Sequence, residues 1–175
     1  MMHERLFHIS EEKDIHKFYP RPSPSVIQGV KGDVVFAITG KLLHHYLLPR
    51  DCPRIGYYAT YKTTGKDRST YLNNDVDFVL AIEASWLERS QHTTIYCYEF
   101  SPATFVEADA CAGYYVSYKT VTPSHVHSII NPIQAIAERK NVELKILPSL
   151  WPLADKIQAS SLNYSMIRMR NALPR

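Results

Sequence analysis

Thr93-Thr94-Ile95-Tyr96-Cys97-Tyr98-Glu99-Phe100 is the stretch whose reading decides the fold. Ile95, Cys97 and Glu99 alternate against Tyr96, Tyr98 and Phe100. A period of two predicts a strand with two distinct faces. Ser101-Pro102 then turns the chain, and residues 114–118 and 121–130 read as further strands with no helical pattern between them. Upstream, residues 6–10, 33–39, 55–59 and 77–83 have the same strand character, and residues 142–147 add another downstream. Strands that follow one another without regular helical crossovers predict an α+β fold. The expected architecture is a central, mostly antiparallel, split sheet flanked by short helices.

The helices are expected to be few. Thr39 is a candidate N-cap for a short helix through Tyr46. Asn131-Pro132 pairs a capping asparagine with proline at the first helical position. That helix is predicted to reach about residue 140, with Ile133, Ile136 and Ala137 facing inward. Residues 151–160 are predicted helical, 162–170 fit helix or strand, and the polar run 11–17 suggests one helical turn. Phe18-Tyr19-Pro20-Arg21-Pro22-Ser23-Pro24-Ser25 should be extended, because each residue before a proline is pushed out of the helical region. Gly29 and Gly32 bound a loop tip. Residues 60–74, rich in Thr, Gly, Lys and Asp, read as a long loop or hairpin and a lid candidate.

At 175 residues the chain is sized for one domain, 1–175, and 45% hydrophobic residues can fill a core. A net charge of +3 with no Lys/Arg block argues against a non-specific nucleic-acid binder. Cys52, Cys97 and Cys111 are odd in number and dispersed, which excludes a disulfide framework or zinc ribbon. Reduced cysteines, no signal peptide and no apolar run of about 18 residues point to a cytoplasmic protein with no membrane partner.

The candidate chemistry sits in two places. Pro49-Arg50-Asp51-Cys52-Pro53-Arg54 sets two arginines, an aspartate and a thiol around two prolines, just after Tyr46. Arginine's planar fork suits phosphate or carboxylate, and flanking prolines hold it with little entropy loss. Arg50 therefore reads either as an anion holder or as the partner of Asp51 in a local ion pair. Arg54 enters a strand and reads as structural. Cys52 has cations nearby but no positioned base, so a thiol nucleophile is disfavoured. Leu6-Phe7-His8-Ile9-Ser10 places His8 and Ser10 on one strand face, as ligand contacts or as polar groups satisfied by backbone. Arg21, between Pro20 and Pro22, is a second proline-braced cation. Glu83 and Glu99 are the acid candidates, either inward-facing or, as for most acids, at the surface. His44 and His45 diverge by about 100° on a helix, and His125 and His127 share a strand face without a third ligand nearby, so no metal site is expected.

Two resemblances follow from these residues. His8-Ile9-Ser10-Glu11-Glu12, Phe18-Tyr19-Pro20-Arg21-Pro22, Tyr46-Leu47-Leu48-Pro49-Arg50-Asp51-Cys52-Pro53-Arg54 and Leu147-Pro148-Ser149-Leu150-Trp151-Pro152 resemble a prokaryotic family of unknown function over nearly the whole chain. More distantly, three features are similar to ADP-ribosyltransferase-like proteins. They are the first-strand histidine, Val35-Phe36-Ala37-Ile38-Thr39 followed by a helix with Tyr46, and Gly113-Tyr114-Tyr115-Val116-Ser117. That likeness implies an ADP-ribosyltransferase-like fold and a nucleotide or other anionic small-molecule ligand, with NAD as the implied cofactor. It also implies ADP-ribosyl transfer or NAD glycohydrolysis. His8, Ser10, Tyr46, Tyr115 and Ser117 would contact the ligand and Arg21 and Arg50 its pyrophosphate. His8, Tyr46 and Glu83 are the catalytic candidates. Where the family carries a late-strand acid this chain has Tyr114 and Tyr115, which leaves Glu83, Glu99 or Glu107 to supply it. The alternative is a non-catalytic nucleotide- or nucleic-acid-binding module.

Overall fold

The computed structural model describes residues 4–23 and 26–175. The extreme N-terminus at 1–3, and Pro24 and Ser25 of the proline-rich stretch, lie outside the described residues. The strands in chain order begin with Leu6–Ser10 (β1), Arg21–Pro22 (β2), Asp33–Thr39 (β3), Arg54–Tyr58 (β4) and Phe78–Glu83 (β5). They continue with Ile95–Phe100 (β6), Val106–Asp109 (β7), Tyr114–Ser117 (β8), His125–Ile129 (β9), Val142–Leu147 (β10) and Asn163–Ile167 (β11). The α-helices are Gly65–Tyr71 (α1), Leu87–His92 (α2), Pro132–Ala137 (α3) and Trp151–Gln158 (α4). The fold is α+β, with mostly antiparallel sheets and short helices. The chain divides into two compact units, residues 1–43 with 94–129 and residues 44–93 with 130–175.

The first unit is a seven-stranded sheet in the order β7-β8-β3-β1-β6-β9, with β2 also on β3, and every pairing is antiparallel. The decisive alternation lands as read. Leu6 faces Phe100, His8 faces Tyr98 and Ser10 faces Tyr96 across β1 and β6. One sheet face buries Leu6, Val35, Ala37, Tyr98 and Phe100, closed over by Phe18, Phe105 and Val121. Phe18 stands edge-on to Tyr98 and Phe100 at 5.1 and 4.9 Å between ring centres, and Phe105 stacks on Phe100 at 5.5 Å. Phe18 also bonds Val121 through both backbone groups, so the proline-rich segment is extended and anchored at its start. The tip beyond it turns through Gly29 and Gly32, both at positive φ, where a side chain would be strained.

The helical turn expected at 11–17 is absent. The Tyr98 hydroxyl donates to the Glu12 carbonyl and accepts from the Ile15 amide, so a side chain from β6 takes the groups a helix would have paired.

The second unit is a four-stranded sheet, β10-β5-β4-β11, in which only the β10–β5 pairing is parallel. Its core joins Ile55, Tyr57, Val79 and Ala81 from one sheet face to Leu150, Ala154 and Ile157 of α4. The ambiguous 162–170 resolves as a strand, because β11 pairs with β4 from Asn163 to Ile167. The Asn131 side chain caps α3 by accepting from the Gln134 amide, with Pro132 at the first position. That helix ends at Ala137, shorter than expected, and buries Pro132 and Ile136 while Ala137 is exposed. The polar 60–74 stretch is not a loop throughout. The Thr64 hydroxyl caps α1 by accepting from the Asp67 amide, and the Asp67 carboxylate ties the helix to Ser161. Among the described residues no helix is long and apolar enough to cross a membrane.

Candidate functional site

In the first unit, sheet register puts His8, Ser10, Tyr115 and Ser117 on one face. Phe7 pairs with Ile38 and Ile38 with Tyr114, which leaves the intervening residues His8, Ala37 and Tyr115 on the opposite face. Glu107 pairs with Tyr115 and joins that face. His8 is half-buried and its Nδ1 lies 2.9 Å from the Phe36 carbonyl. A carbonyl only accepts, so Nδ1 carries a proton. Phe18 packs on the same ring at 4.9 Å. Backbone and aromatic neighbours thus fix the plane of His8 and the proton on its Nδ1. Ser10 accepts from the Glu12 amide at 3.0 Å and closes the end of β1.

Tyr115 stands where the resemblance expects an acid, and acids flank it. Its hydroxyl lies 3.2 Å from a Glu107 carboxylate oxygen and 3.3 Å from one of Glu4, and with one proton it serves one of them at a time. Burial, then the charges of Glu4 and Glu107, push the phenol up to about 12. Glu4 had no signal in the sequence, because its pairing spans 111 positions. Ser117 is fully buried, donates to Thr104 and accepts from the Lys119 amide. Arg21 is exposed and pairs with Val34, whose side chain belongs to the sheet face opposite His8.

Glu99 pairs with Arg5 through both carboxylate oxygens, at 2.8 and 2.6 Å. The Arg5 hydrogen bond, with smaller pulls from His125 and His127, holds its carboxyl below the usual range. His125 is opposite Glu99 on the exposed edge strand β9, and His127 is opposite Cys97. Among the described residues no group of three or more His, Cys, Asp or Glu side chains is arranged to hold a metal ion.

The second unit holds Tyr46, the proline-bracketed motif and Glu83, and it uses them internally. The Cys52 amide donates to the Pro49 carbonyl, as does Arg54 Nη1, both at 3.0 Å. Arg168 donates to the Arg50 carbonyl and Asn171 to that of Asp51, so the loop backbone is tied from the C-terminal segment. Arg54 is buried with its guanidinium 5.9 Å from the Tyr46 ring centre, in line with the structural role read from its position. The Cys52 thiol is buried, and desolvation, opposed by Arg54, pushes it up to about 11. It is a protonated core thiol at neutral pH. Arg50 projects into solvent, and no ion pair joins it to Asp51.

Glu83 has no exposed surface. Its carboxylate accepts from the Leu150 amide at the start of α4 and from the Leu173 amide. A negative group suits a helix N-terminus, which accounts for an acid in this core. Nearby, His45 lies across Gly56 of β4, where a Cβ would come within 2.4 Å of Nε2. Its Nδ1 is 3.0 Å from the Ser165 hydroxyl. Burial, and secondarily Arg54, hold this imidazole down at about 3, so it is neutral throughout the physiological range.

Of the residues suggested by sequence, the first unit brings His8, Ser10, Tyr115 and Ser117 onto one face and adds Glu107. Tyr46, Arg50 and Glu83 belong to the second unit. No curated protein and no solved structure matches the chain. A family model matches residues 7–172, and the chain therefore belongs to DUF6886, a family of unknown function.

Proposed function

We propose that the protein binds a nucleotide-like anionic ligand of the NAD type, with the half-buried His8 of the first unit's sheet as a fixed contact. The observation that carries this reading is the state of the His8 ring. Nδ1 is committed to the Phe36 carbonyl, Phe18 holds the ring plane, and the side chain keeps partial exposure. An imidazole held in this way can hydrogen-bond a ribose hydroxyl. A pre-set ring loses little entropy on binding. The likeness to ADP-ribosyltransferase-like proteins supports the same choice of ligand.

A second reading adds turnover, and the position of Glu107 favours it. Glu83 is buried under two backbone amides and Glu99 is paired with Arg5. Glu107 is exposed and meets only the Tyr115 phenol among the described side chains. In NAD glycohydrolysis the C1′–N bond breaks and its electron pair leaves with neutral nicotinamide. Water adds at C1′ and gives up a proton. Glu107 would stabilise the positive charge that develops at C1′.

Calorimetric titration with NAD and ADP-ribose tests both readings. His8→Asn keeps a donor for Phe36 and removes Nε2, and it should weaken binding by about tenfold, the value of one hydrogen bond. Glu107→Gln should leave affinity unchanged and abolish nicotinamide release. Binding with no release by the wild type selects the non-catalytic reading. No binding at millimolar ligand removes both.

A further inference from the structure

We propose that the protein forms a two-fold symmetric dimer by antiparallel pairing of β9 with the β9 of a second copy. The observation behind it is a palindrome. Ser124-His125-Val126-His127-Ser128 reads the same in both directions. Two antiparallel copies centred on Val126 therefore match along their whole length. Val126 meets Val126, each His125 meets His127 of the partner subunit, and each Ser124 meets Ser128 of the partner subunit. A closed two-fold interface demands this reciprocity, in which one position meets a second and the second meets the first.

The strand is placed to use that match. β9 ends the strand order of the first unit's sheet, and among the described residues it pairs only with β6. Residues 124–128 are all exposed, Val126 by 54%. An edge strand turns the N–H and C=O of alternate residues outward, which makes it a template for a further strand. The register with β6 runs unbroken from His125 to Ile129, so no bulge twists this edge away. No proline, lysine, arginine, aspartate or glutamate stands in 124–129 to block it. β7, at the other end of the order, is guarded in both ways. Its register shifts between Glu107 and Asp109, and those two acids would oppose their own copies. The pairs that β9 makes with itself are valine with valine, imidazole with imidazole and hydroxyl with hydroxyl. At pH 8 they bring no like charges together, and cross-strand pairs of this kind each add to sheet stability. Glu99, opposite His125 on β6, is already held by Arg5.

The test is analytical ultracentrifugation of the full chain at pH 8. Concentrations should reach about 0.5 mM, because one strand pairing is a small interface of the weak class. We expect reversible self-association that stops at two copies. His125→Lys combined with His127→Lys sets lysine against lysine across the axis and should weaken the dimer about tenfold or more. His125→Lys combined with His127→Glu sets lysine against glutamate in the same register and should restore it. Val126→Lys opposes two lysines at the centre and should weaken the dimer as the first pair does. A wild-type chain that stays monomeric, including one whose edge takes up only a foreign peptide, would overturn the proposal. So would growth beyond two copies, or two double variants that behave alike. His8→Asn should leave the dimer intact, so this result and NAD binding are read separately.

Discussion

His8 in the first unit and His45 in the second each hold one ring nitrogen in a hydrogen bond, to the Phe36 carbonyl at 2.9 Å and to the Ser165 hydroxyl at 3.0 Å. Beyond that bond they differ. His8 keeps partial exposure, whereas His45 is 1% exposed and lies flat over a glycine. The acids repeat the contrast. Glu107 is exposed beside a phenol, and Glu83 is sealed under two amides. Residue type suggested all four as chemistry. Access to solvent separates those that can meet a ligand from those that hold the fold.

The largest expected effect comes from breaking the buried side of this contrast. Glu83→Ala strands the Leu150 and Leu173 amides inside the second unit. We expect a loss of about 3 kcal/mol in urea unfolding. Glu107→Gln should change stability by less than about 0.5 kcal/mol, as an exposed substitution. Equal losses would erase the distinction between the two acids.

Gly56→Ala comes next. Its Cβ would meet the His45 ring at 2.4 Å, which a buried imidazole cannot yield without shifting. A loss of about 2 kcal/mol is expected from overpacking. The double variant Gly56→Ala with His45→Ala should lose less than the two single changes summed. Simple additivity would show that the ring does not lie over the strand.

The pH dependence sharpens the histidine pair. The folded protein holds His45 near 3, below its ordinary 6.5. As pH falls below about 6.5 the unfolded chain takes up a proton that the native state refuses. Stability should therefore drop from pH 6.5 toward pH 3, with a contribution of about 1.4 kcal/mol per pH unit. His45→Gln should flatten that slope relative to the wild type, and an unchanged slope would place the titration elsewhere.

The smallest effect is chemical. Cys111 is exposed, while Cys52 and Cys97 are buried. Native protein at pH 8 should react with a thiol reagent at one position, Cys111, and at all three once unfolded. Native labelling of Cys52 would revive the proline-bracketed loop as a reactive site.

Much of the fold was legible because its signals were local. The period of two in 95–100, the Asn131-Pro132 start and the run at 78–83 each declare themselves within a few residues. Helix α1 was hidden because Gly65 opens it and its tie, Asp67 to Ser161, spans 94 positions. The missing turn at 11–17 failed for the same reason, since its clamp is Tyr98, more than 80 positions away. The site was less legible than the fold. Register from β1 through β3 to β8 could place His8 and Tyr115 on one face only once the pairing was known. The Glu4 contact with Tyr115 and the seat of buried Glu83 depend on long-range contacts that carry no sequence pattern. In the proline-bracketed motif the composition marked Arg54 as structural, and the loop backbone is fastened by Arg54, Arg168 and Asn171 while Arg50 stays exposed.

The central claim is that the half-buried His8, not the fully buried His45, meets a nucleotide-like ligand. The most direct measurement is calorimetric titration of NAD and ADP-ribose into the wild type and His8→Asn, with melting temperature recorded on the same samples. The account predicts saturable binding to the wild type, a matching rise in melting temperature, and affinity about tenfold weaker in a folded His8→Asn protein. Absence of binding to the wild type at millimolar ligand, or equal affinity for the two proteins, would contradict it.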